Sequence, residues 1–300
     1  MMSLNPILQR AEAEHWATGH FNASELDQMR AIVEACKEMG APAIIGTSEG
    51  ERNHLGLGEA VALRDAFRQE FGIPIFLNAD HSKSVETAKE VIDAGYDSIH
   101  IDLSALSFEE NVRGTRDIVE YATFRHSQIT AQYTNILKNV GMSVEGELGY
   151  LKGESKMQNE KIEVSPEDYT EPEEAKEFVE RTRVDRLAIV VGNIHGISLE
   201  EPDLDIERIR QIRKVIPQEV ALVLHAGAGI PDDQIKVAIA AGISNIHINT
   251  DIRVVFMREL RKAFSEELDE VAMYKLDQSA IDAMKEVIRR NLKFFDKLKG

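Results

Sequence analysis

Residues 75–103, IFLNADHSKSVETAKEVIDAGYDSIHIDL, contain the pattern that decides the fold. A short apolar strand at Ile75–Ala79 precedes a helical stretch at Lys83–Ala94. The helix ends before Gly95, and a second strand follows at Ser98–Leu103. Strand, helix and strand in this order are typical of a parallel βαβ unit. The stretch therefore predicts a parallel sheet covered by helices.

The same alternation recurs along the chain. The eight strand candidates are Gly19–Asn22, Ala43–Thr47, Ile75–Ala79, Ser98–Leu103, Ser143–Leu148, Arg186–Val191, Ala221–Leu224 and Ile246–Asn249. Helical stretches are predicted at Ser24–Met39, Lys83–Ala94, Phe108–Val140, Pro172–Thr182, Leu204–Val215 and Asp232–Ala241. Eight strands favour a (β/α)8 TIM barrel that occupies residues 1–300 as a single domain. A doubly wound sheet is the alternative, and six strands would suit it better.

Two segments depart from this alternation. Residues Lys152–Asp168 are polar, lack an apolar period and follow the fifth strand. We expect a mobile active-site loop at about 150–168, the alternative being a solvated excursion without a role. The tail from Val271 to Gly300 has an amphipathic helical pattern, which predicts a helical extension packed under the barrel or on a partner subunit.

Composition excludes several classes of protein. The net charge of -17 argues against nucleic acid binding, because phosphate backbones require a positive surface. No run of about 18 apolar residues exists, so no membrane span is expected. Cys36 is the single cysteine, which excludes an internal disulfide and a thiolate metal cluster. The first residues show no secretory signal, and a cytoplasmic location is the expectation.

Polar groups collect where the predicted strands end, which is where barrel enzymes place their active sites. These segments are Asn78-Ala79-Asp80-His81, His100-Ile101-Asp102, Glu145-Gly146-Glu147, Gly192-Asn193-Ile194-His195-Gly196, His225-Ala226-Gly227-Ala228-Gly229 and His247-Ile248-Asn249-Thr250-Asp251. Buried polar groups are costly unless they bind each other or a metal. Several histidines and carboxylates at one rim therefore predict a functional site.

Three of these histidines have the strongest pattern of metal ligands. His81, His195 and His225 each follow an apolar strand and stand beside glycine or a small residue. Three neutral imidazoles with an open fourth position are the arrangement of a catalytic zinc. His100 is interpreted as a hydrogen-bonded core group, and for His20 the sequence leaves packing and function open.

The glycine-rich turn after His225 predicts a phosphate site. Barrels often bind phosphate through backbone amides after the seventh strand. Asn249 and Thr250 end the last strand, and Arg253 follows. The alternative is that the glycines only allow a tight turn.

At this point the sequence resembles the class II, metal-dependent fructose-bisphosphate and tagatose-bisphosphate aldolases. The likeness runs from Gly19-His20-Phe21-Asn22 to about Phe264. Its strongest motifs are Asp80-His81, Ile101-Asp102-Leu103-Ser104, Phe108-Glu109-Glu110-Asn111, Glu145-Gly146-Glu147-Leu148-Gly149, Tyr169 to Ala175 and Gly192-Asn193-Ile194-His195-Gly196. Each motif alone is weak, whereas their number and order are specific.

The resemblance implies roles for individual residues. It implies zinc bound by His81, His195 and His225, and Asp80 as the carboxylate that moves a proton at the substrate C4 hydroxyl. Asp102 and Glu147 match acidic residues that hold a second divalent or a monovalent cation. The remaining matches are Glu154 as an acid/base residue of the loop, Gly196 and the turn with Gly227 and Ala228 as the phosphate cradle, and Arg253 as an arginine that in some members contacts the far phosphate. Asn249 and Thr250, which end the last strand, are predicted to contact the phosphorylated sugar as well.

Departures from the family pattern face the substrate. Ala228 stands where the family's glycine turn carries serine. Asn245 and Asn249 replace a lysine and an aspartate, and His247 replaces the asparagine that hydrogen-bonds the enediolate. His247 therefore has three interpretations: a donor to the enediolate, a metal ligand or a determinant of a different substrate.

The residues and the resemblance together predict a zinc-dependent aldolase. Cleavage of a phosphorylated ketose, fructose or tagatose 1,6-bisphosphate, would give dihydroxyacetone phosphate and an aldehyde, with a Lewis acid stabilising the enediolate. The alternatives are an aldolase or lyase of altered specificity and a catalytically silent sugar-phosphate sensor. No lysine ends a strand in an apolar setting, which argues against a Schiff base. The family implies a homodimer or homotetramer.

Overall fold

All eight predicted strands form, and they close into a parallel barrel. The structure is a computed structural model that describes residues 3–132, 141–158, 162, 164–197 and 203–295. The barrel strands are Thr18–Asn22 (β1), Ala43–Thr47 (β2), Ile75–Ser82 (β3), Ser98–Ile101 (β4), Ser143–Leu148 (β5), Arg186–Ile189 (β7), Ala221–Leu224 (β9) and Ile243–Ile248 (β10). They neighbour one another in the order β1-β10-β9-β7-β5-β4-β3-β2. The predicted TIM barrel is confirmed.

Helices connect the strands around the outside of the barrel. They are Asn5–Glu14 (α1), Leu26–Met39 (α2), Glu49–Leu55 (α3), Leu57–Phe71 (α4), Val85–Ala94 (α5), Phe108–Gln132 (α6), Pro172–Thr182 (α7), Ile206–Val215 (α8), Asp232–Ala241 (α9), Thr250–Glu266 (α10), Met273–Leu276 (α11) and Gln278–Phe295 (α12), with a 3-10 turn at Pro166–Asp168. Of the predicted helix Phe108–Val140, residues 133–140 lie outside the described part.

The two faces of each strand differ as their alternating sequence predicts. On β4, Ile99 and Ile101 belong to the large apolar core between the strands and the surrounding helices. Ser98 and His100 point the other way, into the barrel, where both are fully buried. A second apolar cluster, in which Leu8 of α1 packs near the barrel residue Phe76, closes one end. The polar side chains consequently gather at the other end.

The segment after β5 is more regular than its sequence suggests. Gly153–Met157 forms a strand, β6, which pairs in parallel with His195–Ile197, β8. The expectation of an irregular loop was wrong for these residues, because their pairing partner lies more than 35 residues away and carries no local sequence signal. Residues 159–161 and 163 lie outside the described part, so the mobility of the loop stays a prediction.

The helical extension is present, and it packs on the side of the barrel. α12 contacts α2, α10 and the strand β1. Its buried residues are Ala280, Met284, Ile288, Leu292 and Phe295. The extension therefore belongs to the ring of outer helices, and residues 296–300 lie outside the described part. Within the described residues, no helix has the length and apolar character needed to cross a membrane.

Candidate active site

The closed barrel brings the predicted metal ligands and acids to one end. Asp80 and His81 lie at the end of β3, Asp102 follows β4, Glu147 lies on β5, His195 begins β8, His225 follows β9 and His247 lies on β10. Segments far apart in sequence thus meet because parallel strands present their carboxyl ends on the same side.

His81 and His225 form what we call the carboxylate-backed pair. His81 Nδ1 lies 2.9 Å from Asp102 Oδ2, and His225 Nε2 lies 2.6 Å from Glu145 Oε1. Each carboxylate is a hydrogen-bond acceptor, so it places the ring proton on the nitrogen that it faces. The other nitrogens, His81 Nε2 and His225 Nδ1, then carry lone pairs, and they face each other at 3.2 Å.

Two nitrogen lone pairs that face each other at this distance repel, and a cation bound by both nitrogens removes the repulsion. A tetrahedral zinc with Zn–N bonds of about 2.0–2.1 Å separates two nitrogen ligands by about 3.4 Å. The observed 3.2 Å between His81 Nε2 and His225 Nδ1 is close to that edge. A carboxylate on the far nitrogen of each ring is also the arrangement that orients metal-binding histidines. The donor set fits zinc.

His195, the third predicted ligand, lies beside this pair. Its ring centroid is 5.0 Å from that of His81, at an interplanar angle of 64°. Burial lowers the pKa of His195 to about 3, with the neighbouring His81 adding to the effect, which favours the neutral form that metals require. The donor atoms that lie within 4.8 Å of one another here belong to Asp80, His81, His100 and His225. The ligand role of His195 stays a prediction.

His100 is hydrogen-bonded as predicted. Its ring is fully buried, and the backbone N–H of His81 donates to His100 Nδ1. That bond leaves the proton on Nε2, which lies 3.2 Å from Glu147 Oε2. Glu147 also accepts from Ser104. His81, Asp102 and Glu147 offer a second group of close donors, consistent with the predicted cation position.

His20 and His247 form the amide-backed pair, with their rings stacked at 3.6 Å. Asn245 Nδ2 donates to the carbonyl oxygen of Thr18, so Asn245 Oδ1 accepts from His247 Nε2 at 3.0 Å. Asn78 Nδ2 donates to His20 Nε2 in turn. The lone pair of His247 is therefore on Nδ1, whereas His20 carries its proton on Nδ1.

Asp80 lies between the two pairs. Its Oδ2 accepts from Asn22 Nδ2 at 3.0 Å, and its backbone carbonyl accepts from the buried Arg52. Its Oδ1 is 3.3 Å from His247 Nδ1. Burial opposes ionisation of Asp80, but the surrounding histidines, above all His81, hold its pKa well below the usual range. Asp80 is thus a fixed, ionised carboxylate.

Sequence reasoning missed the group beneath these histidines. Arg186 is fully buried in the barrel, and its Nη1 lies 2.6 Å from Glu145 Oε2. Its Nη2 also donates to Asn78 Oδ1, and its Nε donates to Ser143. Despite burial, the charge of Arg186 holds the pKa of Glu145 well below its usual range, and the hydrogen bond from His225 adds to this effect. The sequence signal that could have revealed Arg186 is an arginine at the start of an apolar strand, at a position whose side chain enters the barrel.

Comparisons with known proteins identify the family to which this chain belongs. Residues 2–299 match the family model described as fructose-bisphosphate aldolase class-II. The chain belongs to the class II fructose-bisphosphate aldolase family. The crystal structure of the YdjI aldolase from Escherichia coli K12 is 28% identical, with a TM-score of 0.76 over 98% of this chain and 96% of that one. The fructose-bisphosphate aldolase of Campylobacter jejuni, 20% identical, shares the fold with a TM-score of 0.78 over 98% and 95%.

In this class II aldolase His81 and His195 stand at the junction of two cavities. The first, of about 200 Å³, is lined by Asn22, Ser48, Asp80, His81, Ser155, His195, Gly196, His225, Ala226, Ala228, His247, Asn249, Thr250 and Arg253. The second cavity has a volume of about 500 Å³ and shares Ser48, His81, Ser155 and His195 with the first. It continues toward the segments that precede α5 and α6. We call them the first and second arms of the cleft.

Five of the six predicted sugar-phosphate contacts line the first arm, and Gly227 does not. The Gly227 N–H donates to the carbonyl of His247, so it is not available to a phosphate. A side chain at Gly227 would also collide with Ile246 and Ile248. The prediction for Gly227 was wrong: this glycine permits close packing of the turn against β10. Arg253 forms an ion pair with the buried Glu51.

Glu154 lies in the second arm, on β6. Its side chain is 74% exposed, and its carboxylate forms an ion pair with Lys156 at 2.6 Å. Lys156 lowers the pKa of Glu154 through a hydrogen bond. Glu154 lines only the second arm, whereas Asp80 lines only the first, so an acid/base role requires displacement of Glu154 toward Asp80.

Proposed function

We propose that this class II aldolase cleaves a phosphorylated ketose to dihydroxyacetone phosphate and an aldehyde with the help of a bound zinc ion. One observation carries the proposal. His81 Nε2 and His225 Nδ1 face each other at 3.2 Å with their lone pairs, beside the fixed carboxylate of Asp80. A metal-binding edge and a base at one cleft are the two parts that the reaction needs.

His81, His195 and His225 would hold the zinc. When bound, zinc supplies a Lewis acid that polarises the ketone of the substrate. Asp102 and Glu145 keep His81 and His225 in the tautomers that leave their lone pairs toward the ion. Asp102 and Glu147 would hold a second divalent or a monovalent cation, as the family resemblance suggests.

Asp80 removes the proton of the substrate C4 hydroxyl. The electron pair left on the C4 oxygen forms the aldehyde carbonyl as the C3–C4 bond breaks, and the electron pair of that bond remains on C3. Glu154, once displaced toward the site, would deliver the proton that C3 takes up to give dihydroxyacetone phosphate, as the family resemblance suggests. Asn22 and Arg52 hold the Asp80 carboxylate and its backbone carbonyl in place, so the base needs no reorganisation.

His247 assists this proton transfer. Since its Nε2–H is engaged by Asn245, its Nδ1 presents a lone pair to Asp80 Oδ1 at 3.3 Å. A proton taken up by Asp80 on Oδ1 is therefore shared with an acceptor, which stabilises the protonated carboxyl group. The asparagine of the family has no such basic nitrogen.

The first arm receives the phosphate of the dihydroxyacetone half. Thr250 begins α10, whose amino terminus favours anions. Arg253, one turn further on, would contact the far phosphate, as the family resemblance suggests. Gly196, Ala228 and Asn249 complete this end of the cleft. Ala228 contributes backbone alone, which is sufficient for a cradle of amides.

Zinc analysis combined with a cleavage assay tests the proposal. The zinc-loaded protein should release dihydroxyacetone phosphate from ketose phosphates, detected by coupled reduction, and a chelator should abolish the release until zinc is restored. Tight zinc binding without turnover of any ketose phosphate would contradict catalysis and favour the silent sensor. The predicted homodimer or homotetramer and the cytoplasmic location stay predictions.

A further inference from the structure

Glu51 is a buried carboxylate that reaches the cleft only through other residues. Its side chain is 4% exposed, and it is not among the described residues that line either arm. Its Oε2 accepts the backbone N–H of Ser48 at 2.7 Å and the side-chain amide of Asn22 at 2.9 Å. Its Oε1 accepts from Arg253 Nη2. Two of these three donors, Asn22 and Arg253, line the first arm.

The local structure explains one of the three contacts. Glu51 is the third residue of α3, and its bond to the Ser48 N–H is part of a capping box at the start of this helix. The other two contacts join segments that lie 29 and 202 residues away in the sequence. A buried carboxylate is costly unless it is paired and hydrogen-bonded. The long-range contacts therefore indicate a role in the cleft beyond the capping of α3.

The Asn22 amide connects Glu51 to the proposed base. Asn22 Nδ2 donates to Glu51 Oε2 and also to Asp80 Oδ2, the latter at 3.0 Å. An amide nitrogen has two hydrogens, so both are used. If the amide turned over, its oxygen would face two carboxylates that can only accept. Glu51 thus fixes the side chain that holds the Asp80 carboxylate.

Arg253 connects Glu51 to the far phosphate of the proposed substrate. The Arg253 side chain is 38% exposed, and Glu51 holds its guanidinium at Nη2. Arginine has five N–H donors in a planar fork, so a guanidinium that donates to Glu51 keeps donors for a phosphate. A long side chain that is already held loses less conformational freedom when the ligand binds. Glu51 therefore prepares Arg253 for its contact.

We propose that Glu51 is a positioning residue that links the phosphate contact Arg253 to the base Asp80 through the amide of Asn22. The inference rests on the proposed function, in which Asp80 removes the C4 hydroxyl proton and Arg253 contacts the far phosphate. Since both ends of the link depend on one carboxylate, loss of Glu51 weakens substrate binding through Arg253 and turnover through Asn22.

Glu51→Met in the full-length zinc-loaded protein tests the link, because methionine is unbranched and of similar length but lacks both acceptor oxygens. Cleavage of fructose 1,6-bisphosphate is compared with that of fructose 1-phosphate, or the tagatose pair is used if that sugar is the one cleaved. We expect kcat to fall about tenfold or more for both substrates, since the base is less precisely held. KM should rise about two- to tenfold for the bisphosphate alone, as only this substrate has the far phosphate.

The matched control is Glu12→Met. Glu12 also lies near an arginine, Arg213, at 3.5 Å and with a side chain that is 10% exposed, but neither residue is among those described as lining the cleft. This variant should leave kcat and KM unchanged. An equal decrease in kcat in Glu12→Met and Glu51→Met would overturn the inference, since loss of a buried carboxylate anywhere would then have the same effect.

Proton exchange separates the link from a general disturbance. Exchange of the C3 protons of dihydroxyacetone phosphate with deuterated water requires neither Asp80 nor Arg253, so Glu51→Met should retain it within about a factor of two. A parallel loss of exchange and cleavage in this variant, or an unchanged kcat, overturns the inference. Exchange in the unaltered protein without cleavage of these ketose phosphates also overturns it and leaves the half-reaction standing. Absence of exchange in the unaltered protein contradicts the proposed function itself.

Arg253→Ala tests the same link from its exposed end, and it decides the matter if Glu51→Met does not fold. Fructose 1-phosphate has no far phosphate, so an arginine that served only as a phosphate contact would leave the kcat of this substrate unchanged. The link predicts that this kcat falls about threefold or more, because Glu51 without its guanidinium partner holds Asn22 less firmly. An unchanged kcat for fructose 1-phosphate in Arg253→Ala overturns the inference.

Discussion

The carboxylate-backed pair and the amide-backed pair occupy neighbouring positions in the same barrel, yet they are prepared for different tasks. His225 and His247 have ring centroids only 3.9 Å apart. Each presents its Nδ1 lone pair, but Glu145 stands behind the first ring and Asn245 behind the second. The difference in the supporting group, rather than in the imidazole, separates the proposed metal ligand His225 from His247, the proposed partner of the base.

The physical reason is the charge of the supporting group. A carboxylate raises the electron density of the imidazole and stabilises positive charge on it, which suits metal ligation. A neutral amide only selects the tautomer. Glu145 keeps its negative charge in a buried place because Arg186 lies 2.6 Å away. The comparison therefore predicts a graded series of effects on metal binding and turnover.

The largest effect is expected when the carboxylate-backed pair loses a ring. His225→Ala should lower zinc affinity by more than about 100-fold, since one of the two facing lone pairs disappears. Zinc content after dialysis against a competing chelator measures it. His247→Ala is the matched control from the amide-backed pair and should keep its zinc. Loss of zinc in both variants would remove the distinction between the pairs.

Asp80→Asn should cost about 10²–10⁴-fold in kcat while zinc stays bound, because the amide cannot accept the C4 proton. Steady-state cleavage and metal analysis on the same sample provide the measurement. A zinc-free variant would show instead that Asp80 is part of the metal site.

Asp102→Asn tests the group behind His81. The amide oxygen still accepts the His81 Nδ1–H, but the negative charge is removed, so zinc affinity should fall about 10–100-fold. Competition with a chelator again measures the zinc affinity. An affinity unchanged within a factor of two would mean that the tautomer matters and the charge does not.

The smallest effect is expected for His247→Asn, which restores the residue type of the family. We expect unchanged zinc content and a decrease in kcat of about tenfold or less, as the assisted proton transfer from Asp80 is lost. Cleavage rates at saturating substrate measure it. A loss comparable to that of Asp80→Asn would make His247 an equal partner in catalysis.

Local sequence patterns were sufficient for the strands and for the convergence of the site. β4 alternates Ser98, Ile99, His100 and Ile101, and this alternation alone assigns one face to the helices and the other to the barrel interior. The pairing of β6 with β8 could not be predicted from the sequence, because these two short strands pair only through tertiary contact. Gly227 was misassigned because a glycine pattern does not tell a phosphate contact from a packing requirement.

The sequence by itself determined the barrel, the end of the barrel that carries the chemistry and the histidines and carboxylates found there, since periodicity and strand termini are local properties. Only the tertiary structure decided which nitrogen of each ring bears the proton and that Arg186 supports Glu145. These features depend on distances between residues far apart in the chain, and hydrogen-bond roles follow from such distances rather than from residue order.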